Sequence, residues 1–537
     1  MHYPETALPM MLFPIAEREL RVAARKPVTY WSRVIAALAA AGLVLWMLGS
    51  LGTLVAPDLL GARMFKVLAN VAFFACLLPG VVLTGDCISE ERREGTLGLL
   101  FLTDLRGHDV VLGKLVATSL RAFYGLMAVL PLMAISFFVG GVTLGEFWRV
   151  IAALLNTLWF SLAAGMFLSS ISYRDQRSML GTALVVLGVT YIVPAIVPFA
   201  RVVSPQTMFS SAFEAEFINH WSTFAASLFL VHTIAWMFLA AAAALVGLRV
   251  AVVPTKQEAM RGIVRPRSPL METHPAEWLA CRSKQYAWLW LSLVLPVAVW
   301  AAGVVNGQKW WNPLALLAVV FALHLLVQFW LAWESTRRLN EIRRNGNLEL
   351  LMSTPLTDRE IVSAQAISLE KQFGAPLFAV LAMDAALIML SRGHFKWADG
   401  EAVEFFTMTA SMIFGSVVNS YAMAWVGLWE GLKGRRASTA GLRTLTRIVL
   451  IPSAVFMLPL YLLIVQAGGS GLGLLSGSGV VWATVMTINA AFFCTMARRK
   501  LEREFRFRAA SVDPERITSV EVADATATVS VPAVAAS

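Results

Sequence analysis

Charge is scarce in this chain. Only 15% of its 537 residues are Asp, Glu, Lys or Arg, while 58% are hydrophobic, and the mean hydropathy is +0.68. A soluble domain carries about 25% charged residues, so this usage excludes one and points to an integral membrane protein. Cysteine is also scarce. Cys76, Cys87, Cys281 and Cys494 stand far apart, with no C-x-x-C pair and no His at metal-ligand spacing, so neither a disulfide framework nor a zinc centre is expected. Nucleotide, metalloprotease and nucleophile-elbow motifs are missing too: G-x-x-x-x-G-K-[ST], H-E-x-x-H and G-x-S-x-G do not occur. Asp384 is the one carboxylate inside an apolar run, which leaves no pair of carboxylates for acid–base chemistry within a membrane. No catalytic, metal-binding or cofactor-binding residue is expected, and the chain reads as a non-enzyme.

What it has in abundance is long apolar runs. A hydrocarbon core about 30 Å thick takes about 20 apolar residues per helix, and twelve runs meet that length. They are Val34 to Val55, Phe65 to Thr84, Leu115 to Gly140, Val150 to Ile171, Met179 to Phe199 and Phe224 to Leu248, then Ala287 to Val305, Leu314 to Trp333, Phe373 to Leu390, Phe405 to Leu428, Ile448 to Gln466 and Val480 to Met496. One alternate set of connecting segments holds 36 Lys and Arg and the other holds seven. By the positive-inside rule both termini are expected in the cytoplasm, in a multi-pass protein of the inner membrane. The first apolar run is too long for a secretory signal, so none is expected.

Five regions result. Residues 1–33 form a cytoplasmic amphipathic segment, 34–248 a first six-span half, 249–285 a cytoplasmic linker with its own amphipathic stretch, 286–497 a second six-span half, and 498–537 a cytoplasmic, largely disordered tail. Six spans return the chain to its starting side, so the fold expected is all-α, with twelve membrane helices as two parallel six-helix repeats.

The halves share a segment. Glu90 to Val111 reads EERREGTLGLLFLTDLRGHDVV and Glu341 to Val362 reads EIRRNGNLELLMSTPLTDREIV; at a constant offset of 251, ten of the 22 positions are identical. Among them are Glu90/Glu341, Arg92/Arg343, Arg93/Arg344, Gly95/Gly346, Leu97/Leu348 and Thr103/Thr354. Residues Ile88 to Leu102 place Leu97, Leu100 and Phe101 on one helical face with the charges opposite, which predicts an amphipathic helix continuing out of the second span. A glycine inside a helix costs about 1 kcal/mol, so the matched glycines predict a bend or a close approach. In the second copy Thr357 to Glu360 is a T-x-x-E capping box that starts the next helix; the first copy has Arg106-Gly-His-Asp109 and lacks it. Taken by itself, the pattern also fits a surface helix that only shapes the loop.

The pattern E-x-R-x-x-G-T/N-L-x-L-L-x-x-T-x-L, together with Pro14 to Leu20 and its weaker counterpart Pro275 to Leu279, resembles permease subunits of type-2 ABC exporters. The resemblance covers roughly Pro14 to Leu248 and Pro275 to Arg503. It departs at Asp104, where the second copy has Pro355, and at Ile342, which stands in the place of Glu91. It implies two fused permease halves, coupling helices in the two repeated loops, and two cytoplasmic ATPase subunits as partners, with an unidentified substrate and no nucleic acid. Glu90, Arg92, Arg93, Gly95, Leu97 and Thr103, with Glu341, Arg343, Arg344, Gly346, Leu348 and Thr354, are then the coupling residues. Asp384 is a candidate for the translocation path, since ionisable residues within spans are functional by default. His232, His324 and Asn419 are expected in interhelical hydrogen bonds. The competing readings are an ion- or proton-coupled secondary transporter, which also has parallel halves, and a membrane scaffold that transports nothing.

Overall fold

Within hydrocarbon a backbone can satisfy its N–H and C=O groups locally only as an α-helix. In the computed structural model every regular element among the described residues is helical. Those residues are 27–51, 56–97, 106–173, 175–250, 275–281, parts of 289–301, 313–344, 346–391, 401–433, 437–453, 455–456 and 478–510. Among the described residues eight helices are long and apolar enough to cross a membrane: Pro57–Arg93, Gly107–Val139, Leu144–Ile171, Glu216–Leu248, Leu316–Arg344, Asp358–Met389, Phe405–Leu432 and Gly479–Arg508. By length and composition the chain is a multi-pass membrane protein.

The other four expected spans divide in two ways. Val34 to Val55 and Met179 to Phe199 fall on shorter apolar helices, Arg33–Gly49 and Arg177–Ile192. The second of these is cut short by its own sequence. Its backbone widens into a π turn at Gly188–Ile192, and the following helix ends at Ile196, because Val197, which precedes Pro198, is extended at φ −118° and ψ 95°. Most of Ala287 to Val305 and of Ile448 to Gln466 lies outside the described residues, as do residues 1–26, the linker 251–274 and the tail 511–537.

Contacts divide the chain into two compact units, Met1–Ile263 and Val264–Ser537. The first contains α1 (Pro27–Leu51), α2 (Pro57–Pro79), α3 (Cys87–Glu94), α4 (Gly107–Val139), α5 (Leu144–Ile171), α6 (Asp175–Leu187), α7 (Val193–Ile196), α8 (Pro205–Ser210) and α9 (Glu214–Val250). The second contains α10 (Pro275–Ala280), α11 (Pro313–Arg344), α12 (Asn347–Met352), α13 (Asp358–Ser391), α14 (Glu401–Leu432), α15 (Ala437–Leu445) and α16 (Ser478–Ala510).

Lipid tails are as apolar as leucine, so close packing and interhelical hydrogen bonds, more than hydrophobic burial, hold such helices together. In the first unit α5 supplies both. Ser161, Gly165 and Ser169 recur every fourth residue and are turned toward the stretch joining α2 to α3. Pro79 interrupts the ladder there and a π turn, Gly80–Thr84, comes after it. The Gly80 N–H donates to Ser161 Oγ at 3.0 Å, Thr84 Oγ1 donates to the Leu162 carbonyl at 3.0 Å, and the Ile88 and Ser89 N–H groups donate to Ser169 Oγ at 2.8 and 3.0 Å. A Cβ at Gly165 would collide with Thr84 Oγ1 and the Gly80 carbonyl. The second unit has a crossing of the same kind between α11 and α14. There a Cβ at Gly427 would collide with Ser335 Oγ, and one at Gly431 with the Thr336 carbonyl. Ser335 donates to the Met423 carbonyl at 3.3 Å and Asn340 Nδ2 to the Gly431 carbonyl at 3.3 Å.

Candidate functional site

Both copies of the repeated segment begin as the end of a long helix, and both helices stop at the matched glycine. Gly95 follows α3 at φ +76°, and Gly346 follows α11 at φ +73°. Each N–H turns back to a carbonyl three residues earlier, Arg92 at 3.4 Å and Arg343 at 3.1 Å. This is the left-handed step that ends many helices and suits glycine. Of the two roles open to these glycines, the bend is the one the structure contains: a Cβ at either would meet nothing within 4 Å. The single amphipathic helix expected from Ile88 to Leu102 is therefore corrected. It breaks at Gly95, because a left-handed residue cannot continue an α-helix. After the bend, Leu97 and Leu348 turn inward and are buried, while Leu350 and Thr354 are exposed. Thr103 lies outside the described residues.

The matched arginines do matched work. Arg92 Nη2 donates to the carbonyl of Ser170, in the last turn of α5, at 2.8 Å, and Arg343 Nη1 donates to the carbonyl of Leu432, the last residue of α14, at 2.7 Å. The last carbonyls of a helix lack intrahelical partners and carry partial negative charge. A guanidinium there satisfies one of them and ties the bend to a neighbouring helix.

Around this common frame the two copies differ. In the first, Arg93 Nη2 pairs with Asp86 Oδ2 at 2.9 Å and Nη1 reaches the Tyr173 carbonyl at 3.4 Å. Glu91 pairs with Lys114 of the return helix α4 at 2.7 Å and accepts from Thr96 Oγ1. In the second, Ile342 and Gln365 stand at the positions of Glu91 and Lys114. Here the return helix α13 is tied to α16 instead, by Arg506 to Asp358 at 2.7 Å. Arg337 takes the place of Asp86 and pairs with Glu334 and Glu341, each at 3.0 Å. Glu341 is exposed, as is Arg344, while Glu90 is half-buried.

The starts of the return helices obey the local sequence. Thr357 and Glu360 form the expected capping box, with the Thr357 N–H donating to Glu360 Oε2 at 2.8 Å and the Glu360 N–H to Thr357 Oγ1 at 3.3 Å. In the first copy Asp109 supplies one half of such a box by accepting from the Arg106 N–H at 2.8 Å.

Neither the family models nor the curated proteins that were searched give a match to this chain. Its residues are therefore the basis of any functional reading. Among those described, no group of three or more His, Cys, Asp or Glu could hold a metal ion.

Asp384 is not part of the repeated segment. It is fully buried and its Oδ2 lies 2.8 Å from His324 Nε2. His232, the other histidine expected to bond between helices, sits 3.2 Å from Asn156 Oδ1, and Asn419 Nδ2 reaches Met486 Sδ at 3.7 Å.

One group escapes sequence reasoning. The span expected to end at Trp333 runs on to Arg344, and Glu334, Arg337 and Arg338 are buried beyond it. Arg338 donates to Glu334 Oε1 at 3.2 Å, to Ser368 Oγ at 2.5 Å and to Gln372 Oε1, and it reaches the Ala280 carbonyl at 3.4 Å. This network holds α10 against α13. The signal is present in the i, i+3 and i+4 spacing of Glu334, Arg337 and Arg338, although a tally of connecting segments takes them for loop charge.

Proposed function

We propose that this chain is the membrane-spanning permease of an ABC-type exporter. Two six-span halves, twelve spans in all, lie in the inner membrane with both termini in the cytoplasm. Separate cytoplasmic ATPase subunits, two copies, hydrolyse the ATP, and the chain moves an unidentified substrate outward. The two repeated segments are the ATPase-coupling loops. One observation carries the reading: at matched positions, each segment makes a left-handed bend at a glycine and bonds an arginine to the end of a neighbouring helix. A two-fold motor needs two equivalent handles on its membrane partner. Handles that are to bias a two-state gate must be stiff, because a flexible one dissipates the differential binding energy it should transmit. A scaffold has no need for duplicated stiff bends.

Purification in mild detergent from the native host tests this directly. The expected result is an ATPase that co-purifies with the chain and whose activity reconstitution with the chain changes. Repeated purification with no ATPase present would sink the proposal.

A further inference from the structure

The helix that enters the second bend, α11, and the return helix that follows it, α13, are joined at another point by His324 and Asp384. The two side chains are 2.8 Å apart, His324 is 2% and Asp384 0% exposed, and among the described residues Asp384 Oδ1 has no hydrogen-bond partner. No other Asp, Glu, Lys, Arg or His occurs between Pro313 and Glu334 on α11, between Lys371 and Ser391 on α13, between Glu404 and Glu430 on α14, or between Ser478 and Arg498 on α16. Tyr421 of α14 is exposed and accepts from Arg498, and Cys494 of α16 is buried. The helices α10 and α15 pack against α13 and α11 farther along, near Ser368 and Trp333, and their charged groups are Glu277, paired with Lys371, and Arg443. Glu277 belongs to the contact with the first half of α13. Arg392, His394, Lys396 and Asp399 come after α13, outside the described residues.

The pair has three possible proton counts. With none, a carboxylate is buried beside a neutral imidazole; with two, an imidazolium beside a carboxylic acid. Either leaves an uncompensated charge in a low-dielectric interior, which is the most expensive arrangement a buried group can have. With one proton the pair is neutral, whichever atom carries it. The orphaned Oδ1 argues against the count of none, since a carbonyl oxygen tolerates isolation better than one half of a bare carboxylate does. We propose that His324 and Asp384 form a binding site for a single proton within the membrane part of the second unit, clasping the two arms of its repeated segment. A proton is the ligand that fits a pair so fully enclosed. The matched positions of the first unit hold no counterpart. At the same offset of 251 it carries Phe73 and Met133, both buried, with Phe73 stacked on Phe209 at 4.5 Å. The clasp therefore joins the two arms of one repeated segment and not those of the other.

Infrared difference spectra of the full chain in lipid nanodiscs at neutral pH, wild type minus Asp384→Asn, test this without any transport assay, so a negative result leaves the permease proposal standing. The expected signal is a protonated-carboxyl C=O band that moves in D2O and is lost in the variant. Carboxylate bands accompanied by imidazolium bands that vanish in His324→Phe put the same single proton on the ring and support the site equally. A carboxylate with a neutral imidazole, or a carboxylic acid with an imidazolium, means none or two protons and overturns it. Joint substitution with the first unit's residues, His324→Phe with Asp384→Met, should remove every one of these bands, and their persistence would overturn the assignment to this pair.

Discussion

At Gly95 and at Gly346 the chain takes the same left-handed step, and in each case an arginine three residues earlier caps a neighbouring helix. Beyond the step the two copies part company. The first return helix is tied back by an ion pair between Glu91 and Lys114, whereas the second is tied to α16 through Asp358 and Arg506. The difference separates two layers of the design. The direction of the bend is written in the backbone and its glycine, and both copies have it. Anchorage of the return helix is written in side chains, and each copy has found its own. If the two segments are handles for one motor, they offer it the same shape with different restraint. Substitutions at matched positions can break that equivalence or sharpen it.

The largest effects are expected at the helix crossings beneath the bends. Gly165→Val and Gly427→Val each push a side chain into a neighbouring hydroxyl, and overpacking of this kind costs about 3 kcal/mol. Thermal unfolding in detergent should show both variants falling well below wild type and by similar amounts. A large fall in one and none in the other would mean that the two crossings are not equivalent.

Next come the arginine caps. Arg92→Leu and Arg343→Leu each remove a charge-assisted bond to a helix-end carbonyl, worth about 2 kcal/mol when partly buried. Hydrogen exchange at residues 168–173 and 429–433 would register the release of the last turn in each case. Protection that stays at the wild-type level in either helix would remove that arginine from the comparison.

The glycines come third, and here equality is the sharp expectation. Because a Cβ meets nothing at either position, Gly95→Ala and Gly346→Ala should carry only the left-handed backbone penalty, about 1 to 2 kcal/mol. Asparagine in place of alanine should recover part of it. A clearly larger cost at one glycine would expose a contact that the other lacks.

Much of this comparison is legible in the amino-acid sequence. The offset of 251 names the bends, and the Thr357 to Glu360 box names the start of α13, because a left-handed glycine and a capping residue act within a few residues of chain. The existence of most membrane helices comes from apolar length alone. Illegible in the sequence is anything decided across helices. Arg92 and Arg343 are visible as matched charges, but their acceptors lie 78 and 89 residues away. His324 and Asp384 stand out singly as polar residues in apolar runs, and only the packing of α11 on α13 makes them a pair. Helix ends mislead in the other direction. Glu334, Arg337 and Arg338 look like loop charges, since a buried, mutually paired cluster and a solvated one have the same composition.

The smallest effect is expected where the two copies differ, and it carries the most information. Replacing Glu91 and Lys114 together by the second copy's residues, Glu91→Ile with Lys114→Gln, removes both charges of a pair whose lysine is buried. Exchanging a buried ion pair for uncharged groups is often close to neutral, so the double variant should change stability by less than about 1 kcal/mol. Glu91→Ile alone is different. It takes the carboxylate away from the Lys114 ammonium while the lysine stays buried, and a loss of about 3 kcal/mol is expected. Lys114→Gln alone should fall between, since Glu91 also accepts from Thr96 and is the more exposed partner. Unfolding measurements on the four members of this cycle would give the coupling energy of the pair. A double variant as damaged as Glu91→Ile would mean that the first bend depends on its ion pair, and that the two copies are held by mechanisms that cannot be exchanged. A double variant that behaves as wild type would reduce the difference between the copies to local anchorage, leaving the glycine step and the arginine cap as the parts that make a handle.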